Sequence, residues 1–146
     1  MAQILSSGSA APVLQADQPP DHFVRCDGVE FAGTHVLIDL WEASRLDDLP
    51  YMESVLRRVI NTCGATLLHI HLHHFTPTGI SGVAVLAESH ISVHTWPERG
   101  FAAFDVFMCG DAKPELAVPI FEDAFAAGRI NYNTVRRGLV AEPSGT

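Results

Sequence analysis

Between residues 65 and 110 the chain is a run of extended segments with no helical spacing among them. They are "ATLLHIHLHHF" (65–75), "GVAVLAES" (82–89), "HISVHTW" (90–96) and "FAAFDVFMCG" (101–110). The first follows the two-residue period of a strand: Leu68, Ile70 and Leu72 fall to one side, and Leu67, His69, His71, His73 and Phe75 to the other. One strand precedes the run, "THVLIDLWEA" (34–43), and another follows it, "INYNTVRRG" (130–138). Only two segments read as helices. Within 47–64, Met52, Val55, Leu56, Val59, Ile60 and Cys63 recur at helical intervals, and Gly64 stands where a C-cap belongs. Within 113–128, Ala117, Ile120, Phe121 and Ala124 share a face, and Pro119 predicts a late start or a kink. Strand runs broken by two helices predict an α+β, two-layer sandwich, an antiparallel-rich sheet with both helices on one face. The other sheet face then needs a cover, and a second copy of the chain is the expected one.

The 146 residues suit one domain, and with 47% of them hydrophobic a core can be built. Residues 1–29, rich in Ala, Ser, Gln, Asp and Pro and without a sustained period, read as a flexible N-terminal arm. The domain is expected over 30–138, with a flexible tail at 139–146. A net charge of −8 argues against nucleic acid and anionic membrane surfaces as partners, while it suits a cationic small substrate. No apolar run reaches the roughly 20 residues that span a bilayer. The first sixteen residues lack a basic start and a long apolar centre, so no signal peptide is expected. Cys26, Cys63 and Cys109 form an odd set without CxxC spacing, which points to reduced thiols in the cytoplasm.

The unusual part is the polar content of 79–100. Polar groups in an apolar sheet segment cost free energy unless they have partners or a task. His69, His71 and His73 share a strand face, with His74 beside them, and HxH on a strand can present two imidazoles to zinc. A third ligand and an open position are not evident and no HExxH supports them, so no metal is expected. Cys109 has nothing basic around it in sequence, and a lone cysteine is ordinarily a small buried hydrophobe. Ser89 lacks a GxSxG elbow, so a hydrolase is not indicated. His90 is next to it and His94 is five residues on, so both fall on the opposite face of a straight strand. Within one chain Ser89 and His94 are poorly placed for proton transfer; across a dimer or around a bend they can meet.

The stretch "GISGVAVLAESHISVHTWPERGFAAFDVFMCGD" (79–111) closely resembles the core of the short prokaryotic S-adenosylmethionine decarboxylase proenzymes, a self-cleaving, pyruvoyl-dependent family. The family's Glu-Ser bond before His, its "HTWPE", and its strand ending in Cys-Gly all stand here in order. "GTHVLIDL" (33–40) and "HHFTPTGISG" (73–82) also fit, and the resemblance covers residues 30–138. Met108, where a threonine is common, and the long N-terminal arm are departures.

The resemblance implies a chemistry. Decarboxylating an α-amino acid leaves a carbanion that no ordinary side chain can accept, whereas a ketone joined to the amine as a Schiff base can. The family makes that ketone from its own backbone: cleavage between Glu88 and Ser89 converts Ser89 into an N-terminal pyruvoyl group. By the same resemblance His94 is the base for the elimination, Ser81 positions or polarises the ester intermediate, and Cys109 is the proton donor after carbon dioxide leaves. Phe75 is expected to stack on adenine and Glu98 to hold the ribose hydroxyls. The implied substrate is S-adenosylmethionine, the product the aminopropyl donor for spermidine, and the assembly a homodimer of processed protomers. Ser89 and Cys109 would come from one chain, and Ser81, His94 and Glu98 from the other. Two other readings remain at this level: the same chemistry on arginine or ornithine, and an unprocessed binding protein that is not an enzyme.

Overall fold

In the computed structural model, which describes residues 22–140, every strand pairing is antiparallel. A hairpin of β1 (Val24–Cys26) and β2 (Val29–Phe31) leads into the main sheet. That sheet contains β3 (Gly33–Trp41), β4 (Leu67–His74), β5 (Ile80–Leu86), β6 (Ser89–Trp96), β7 (Phe101–Met108) and β8 (Arg129–Arg137). Their order across it is β4-β5-β6-β7-β3-β8. Helix α1 (Leu49–Cys63) links β3 to β4, and α2 (Ala117–Ala124) links β7 to β8. The hairpin occupies part of the segment read as an arm; residues 1–21 and 141–146 lie outside the described residues.

Local chemistry explains the helices. Asp48 caps α1 by accepting from the Tyr51 N–H at 3.0 Å, and Gly64 ends it at φ 84, the left-handed conformation that glycine adopts without strain. The buried residues of α1 are the six that its spacing marks. A 3-10 turn, Pro114–Leu116, leads into α2, so this helix does start late. Pro119 falls in its first turn, where backbone N–H groups have no partner within the helix anyway. Ala117, Val118 and Phe121 are buried, and Phe121 stacks on Phe104 of β7 with ring centroids 3.9 Å apart.

Both helices close over one sheet face. Val36, Ile38 and Leu40 of β3, Ile91 and Val93 of β6, and Phe104 and Val106 of β7 join them in one buried cluster. The alternation of β6 and β7 sends their other residues to the opposite face, which no helix covers; Leu37, Val83, Val85 and Trp96 are exposed there. Truncating Leu56, which is fully buried, to alanine should cost about 2–5 kcal/mol, because the closed cluster cannot collapse onto the space. The urea midpoint should fall with an unchanged slope; an unmoved midpoint would place Leu56 outside the core.

One parity expectation is corrected. The register of β4 against β5 shifts between Leu67 and His69. A bulge inserts a residue and reverses which side the preceding side chain takes. Leu67 therefore packs against the core, while Leu68 is 64% exposed rather than lying with Ile70 and Leu72. His69, His71 and His73 keep their shared, solvent-facing side. Among the described residues no helix is long and apolar enough to cross a membrane.

Candidate active site

The candidate site residues of 79–100 separate into two clusters at opposite ends of β6. The first surrounds the Glu88-Ser89 peptide. Glu88 sits in the tight β5–β6 turn at φ 57, a left-handed conformation that costs a residue with a Cβ about 1 kcal/mol or more. Ser89 opens β6, and Cys109 follows directly on the neighbouring β7. Cys109 touches the peptide twice: its backbone N–H donates to Ser89 Oγ at 3.2 Å, and its thiol donates to the Glu88 carbonyl oxygen at 3.0 Å. Burial pushes the Cys109 thiol up; the Ser89 hydrogen bond opposes this and the Glu88 charge adds to it, with a net rise. The thiol is thereby kept protonated, able to donate rather than to attack.

The second cluster lies at the far end, on the face without helices. Ser81 of β5 stands opposite His94 of β6, and its Oγ is 2.9 Å from His94 Nδ1. His73 of β4 is opposite Ser81 in turn, and Phe75 packs edge-on to His73 at 4.5 Å. Phe75 is 46% exposed. Thr78 Oγ1 reaches Glu98 Oε1 at 3.5 Å, so the β4–β5 loop and the Pro97–Arg99 turn adjoin. Asp47 braces this loop by accepting from the Gly79 N–H and from His74 Nε2, each at 2.8 Å. Those bonds, the Gly79 one foremost, hold the Asp47 carboxyl below its ordinary range.

The structure thus joins Glu88, Ser89 and Cys109, and separately Ser81 and His94 with Phe75 and Glu98 nearby. It does not join Ser89 to His94. Five residues of extended chain separate them, roughly 16 Å, and they leave the strand on opposite faces.

Sequence reasoning missed Asp105, at mid-strand in β7. It accepts from His35 Nε2 at 3.1 Å, from His90 Nε2 at 2.8 Å and from Ser92 Oγ. An acid inside the apolar run "FAAFDVFM" was the available signal. Burial pushes the Asp105 carboxyl up, but the bonds from Ser92, His35 and His90 outweigh it and hold it below its ordinary value. Among the described residues, His35, His90 and Asp105 are the group that brings three metal-ligating atoms together, within 4.8 Å; the histidine row of β4 does not. Arg137 argues against a metal there. It donates to His35 Nδ1 at 3.0 Å, which leaves the proton on Nε2 and removes that atom as a ligand.

A depressed native carboxylate stabilises the fold above its unfolded pKa and loses that contribution as pH falls through the native one. Wild type should therefore lose thermal stability between about pH 5 and about pH 2 more steeply than Asp105→Asn. Parallel melting curves across that range check this, and parallel acid limbs would count against the network.

A six-stranded antiparallel sheet with two helices on one face and a Glu-Ser turn held by cysteine at one strand end defines a class of two-layer α+β protein. The crystal structure of the adenosylmethionine decarboxylase from Aquifex aeolicus VF5 shares this architecture. The TM-score is 0.72 at 34% identity, covering 80% of this chain and 98% of that one. The S-adenosylmethionine decarboxylase family profile matches residues 34–138. Proteins named S-adenosylmethionine decarboxylase proenzyme are similar over most of their length. That of Methanococcus maripaludis strain S2 is 45% identical over 111 residues, covering 74% of this chain and 91% of its own. That of Thermomicrobium roseum is 39% identical over 112 residues, covering 75% and 97%. The chain belongs to the S-adenosylmethionine decarboxylase family.

Proposed function

We propose that this chain is a proenzyme that cuts itself between Glu88 and Ser89, carries the resulting pyruvoyl group, and decarboxylates S-adenosylmethionine. One observation carries the reading: both donors of Cys109 converge on the 88–89 peptide, one on the carbonyl oxygen and one on the hydroxyl oxygen. The thiol polarises the carbonyl and stabilises charge developing on its oxygen. Ser89 Oγ adds to the Glu88 carbonyl carbon, the C–N bond breaks, and the hydroxyl proton ends on the Ser89 nitrogen, giving an ester. A base then removes the Ser89 Cα proton, and the main-chain carboxylate of Glu88, the acyl end of the ester, leaves from Ser89 Cβ. Hydrolysis of the resulting dehydroalanine releases ammonia and leaves the ketone. When present, the pyruvoyl group supplies the electron sink for the bond that decarboxylation breaks.

The base is His94, with Ser81 fixing its ring. Because that pair stands about 16 Å from Ser89 in the same chain, it acts on the Ser89 of a second copy. A homodimer that pairs the helix-free faces covers the exposed apolar residues and sets the β5–β6 turn of one copy, at the end of its strands, against the His94 end of the other. Phe75 then stacks on the adenine and Glu98 holds the ribose hydroxyls. Cys109, kept protonated, returns a proton to the substrate Cα.

Cys109→Ala tests both of its tasks. Self-cleavage should slow about tenfold, since one weak donor is lost and the backbone N–H remains. Turnover of the processed enzyme should fall about a hundredfold, with progressive inactivation as protons reach the wrong carbon and convert the prosthetic group to alanine. Intact mass against time, with carbon dioxide release from carboxyl-labelled S-adenosylmethionine, reads both. Normal long-term activity in Cys109→Ala removes it from the mechanism. Release from labelled arginine or ornithine, but not from S-adenosylmethionine, would reassign the substrate and leave the processing chemistry in place.

A further inference from the structure

His22 lies upstream of the family-matched residues and yet touches the scissile turn. Its backbone carbonyl accepts from the Gly110 N–H at 2.9 Å, next to the cysteine that contacts the 88–89 peptide. Gly110 takes φ 63 there, a turn available to glycine at no steric cost. The His22 imidazole Nε2 is 3.7 Å from Glu88 Oε2. Among the described residues no other basic side chain pairs with Glu88.

The geometry sets up an electrostatic conflict. Attack by Ser89 places negative charge on the Glu88 carbonyl oxygen, a few bonds from the same residue's carboxylate. Like charges that close disfavour the developing oxyanion. The same carboxylate also raises the Cys109 thiol, whose hydrogen bond to that oxygen assists the reaction. A partner on the far side of the carboxylate that can pair with it relieves both effects, and the His22 imidazole stands there.

We propose that His22 is a positioning residue for self-cleavage: its imidazole draws the Glu88 carboxylate off the carbonyl that Ser89 attacks, while its backbone tethers the Cys109–Gly110 turn. The proposal rests on the self-cleavage reading and assigns a residue before the family-matched segment a part in maturation. The pair is exposed, His22 at 62% and Glu88 at 53%, which bounds the effect at a few-fold.

The test follows the first-order cleavage of freshly synthesised full-length chain by intact mass. His22→Ala, which retains the backbone bond, should cleave about threefold to fivefold more slowly. His22→Lys, which places a permanent positive charge there, should cleave at least as fast as wild type. Glu88→Gln removes the carboxylate that needs steering, so His22→Ala should have no further effect in that background. A role in folding alone would not be relieved by changing Glu88. Equal rates for wild type and His22→Ala, or the same His22→Ala slowing with and without Glu88→Gln, would overturn the assignment while leaving self-cleavage intact. A wild-type chain that never cleaves would overturn both.

Discussion

Purified Ser89→Ala is expected to remain a single chain of 146 residues, while wild type separates under denaturing conditions into residues 1–88 and 89–146. The effect is all-or-none because the reaction has one nucleophile. Ser89 Oγ accepts from the Cys109 N–H at the same peptide whose carbonyl the cysteine thiol contacts. Ser81, the other serine named for the chemistry, is occupied with His94 at the other end of the sheet. The mass of the second fragment is diagnostic, since a pyruvoyl start lacks the amine that hydrolysis would leave. Finding wild type permanently intact, with an ordinary serine at position 89, would remove the enzyme reading altogether.

A second large effect is expected from mixing two inactive proteins. Cys109→Ala damages the cluster at the start of β6, and Glu98→Gln damages the one beyond its end. If each site is assembled across a dimer, a mixed dimer holds one doubly damaged site and one with both residues intact. Co-expression with two affinity tags and tandem purification isolates that species. Its activity should be about half that of wild type, while either variant alone stays near zero. A site built within one chain gives no good site in any mixed dimer. Isolated mixed dimers without activity would therefore show that each protomer works alone.

How much of this was legible in the sequence depended on how local the determining physics was. Helix α1 was readable because its six buried positions and its Gly64 stop act within the segment. The opposite faces of Ser89 and His94 followed from strand parity alone. The side taken by Leu68 was not readable, because the bulge that sets it arises from pairing with β5, which the β4 sequence does not announce. The hairpin at 24–31 was too short for any period to appear. The Asp105 network was hidden for a third reason. Its members lie 13 to 70 residues away in sequence and meet only through the registers of β7 with β6 and β3.

The strand order carries a consequence for the life of the molecule after maturation. A cut between 88 and 89 assigns β3, β4 and β5 to one fragment and β6, β7 and β8 to the other. Across the sheet these fragments interleave: β5 meets β6, and β3 is gripped between β7 and β8. Each helix also comes from a different fragment, and both bury residues in the same cluster. The product is thus held as one body by three shared strand interfaces, with no covalent link. Before the cut, a denatured molecule can recover by a unimolecular search; afterwards, two polypeptides must find each other from solution, without the advantage of a closed loop. Such a cut would therefore act as a ratchet. Recovery would become concentration-dependent, and the working lifetime of the cut protein would be set by how slowly it unfolds rather than by how well it refolds.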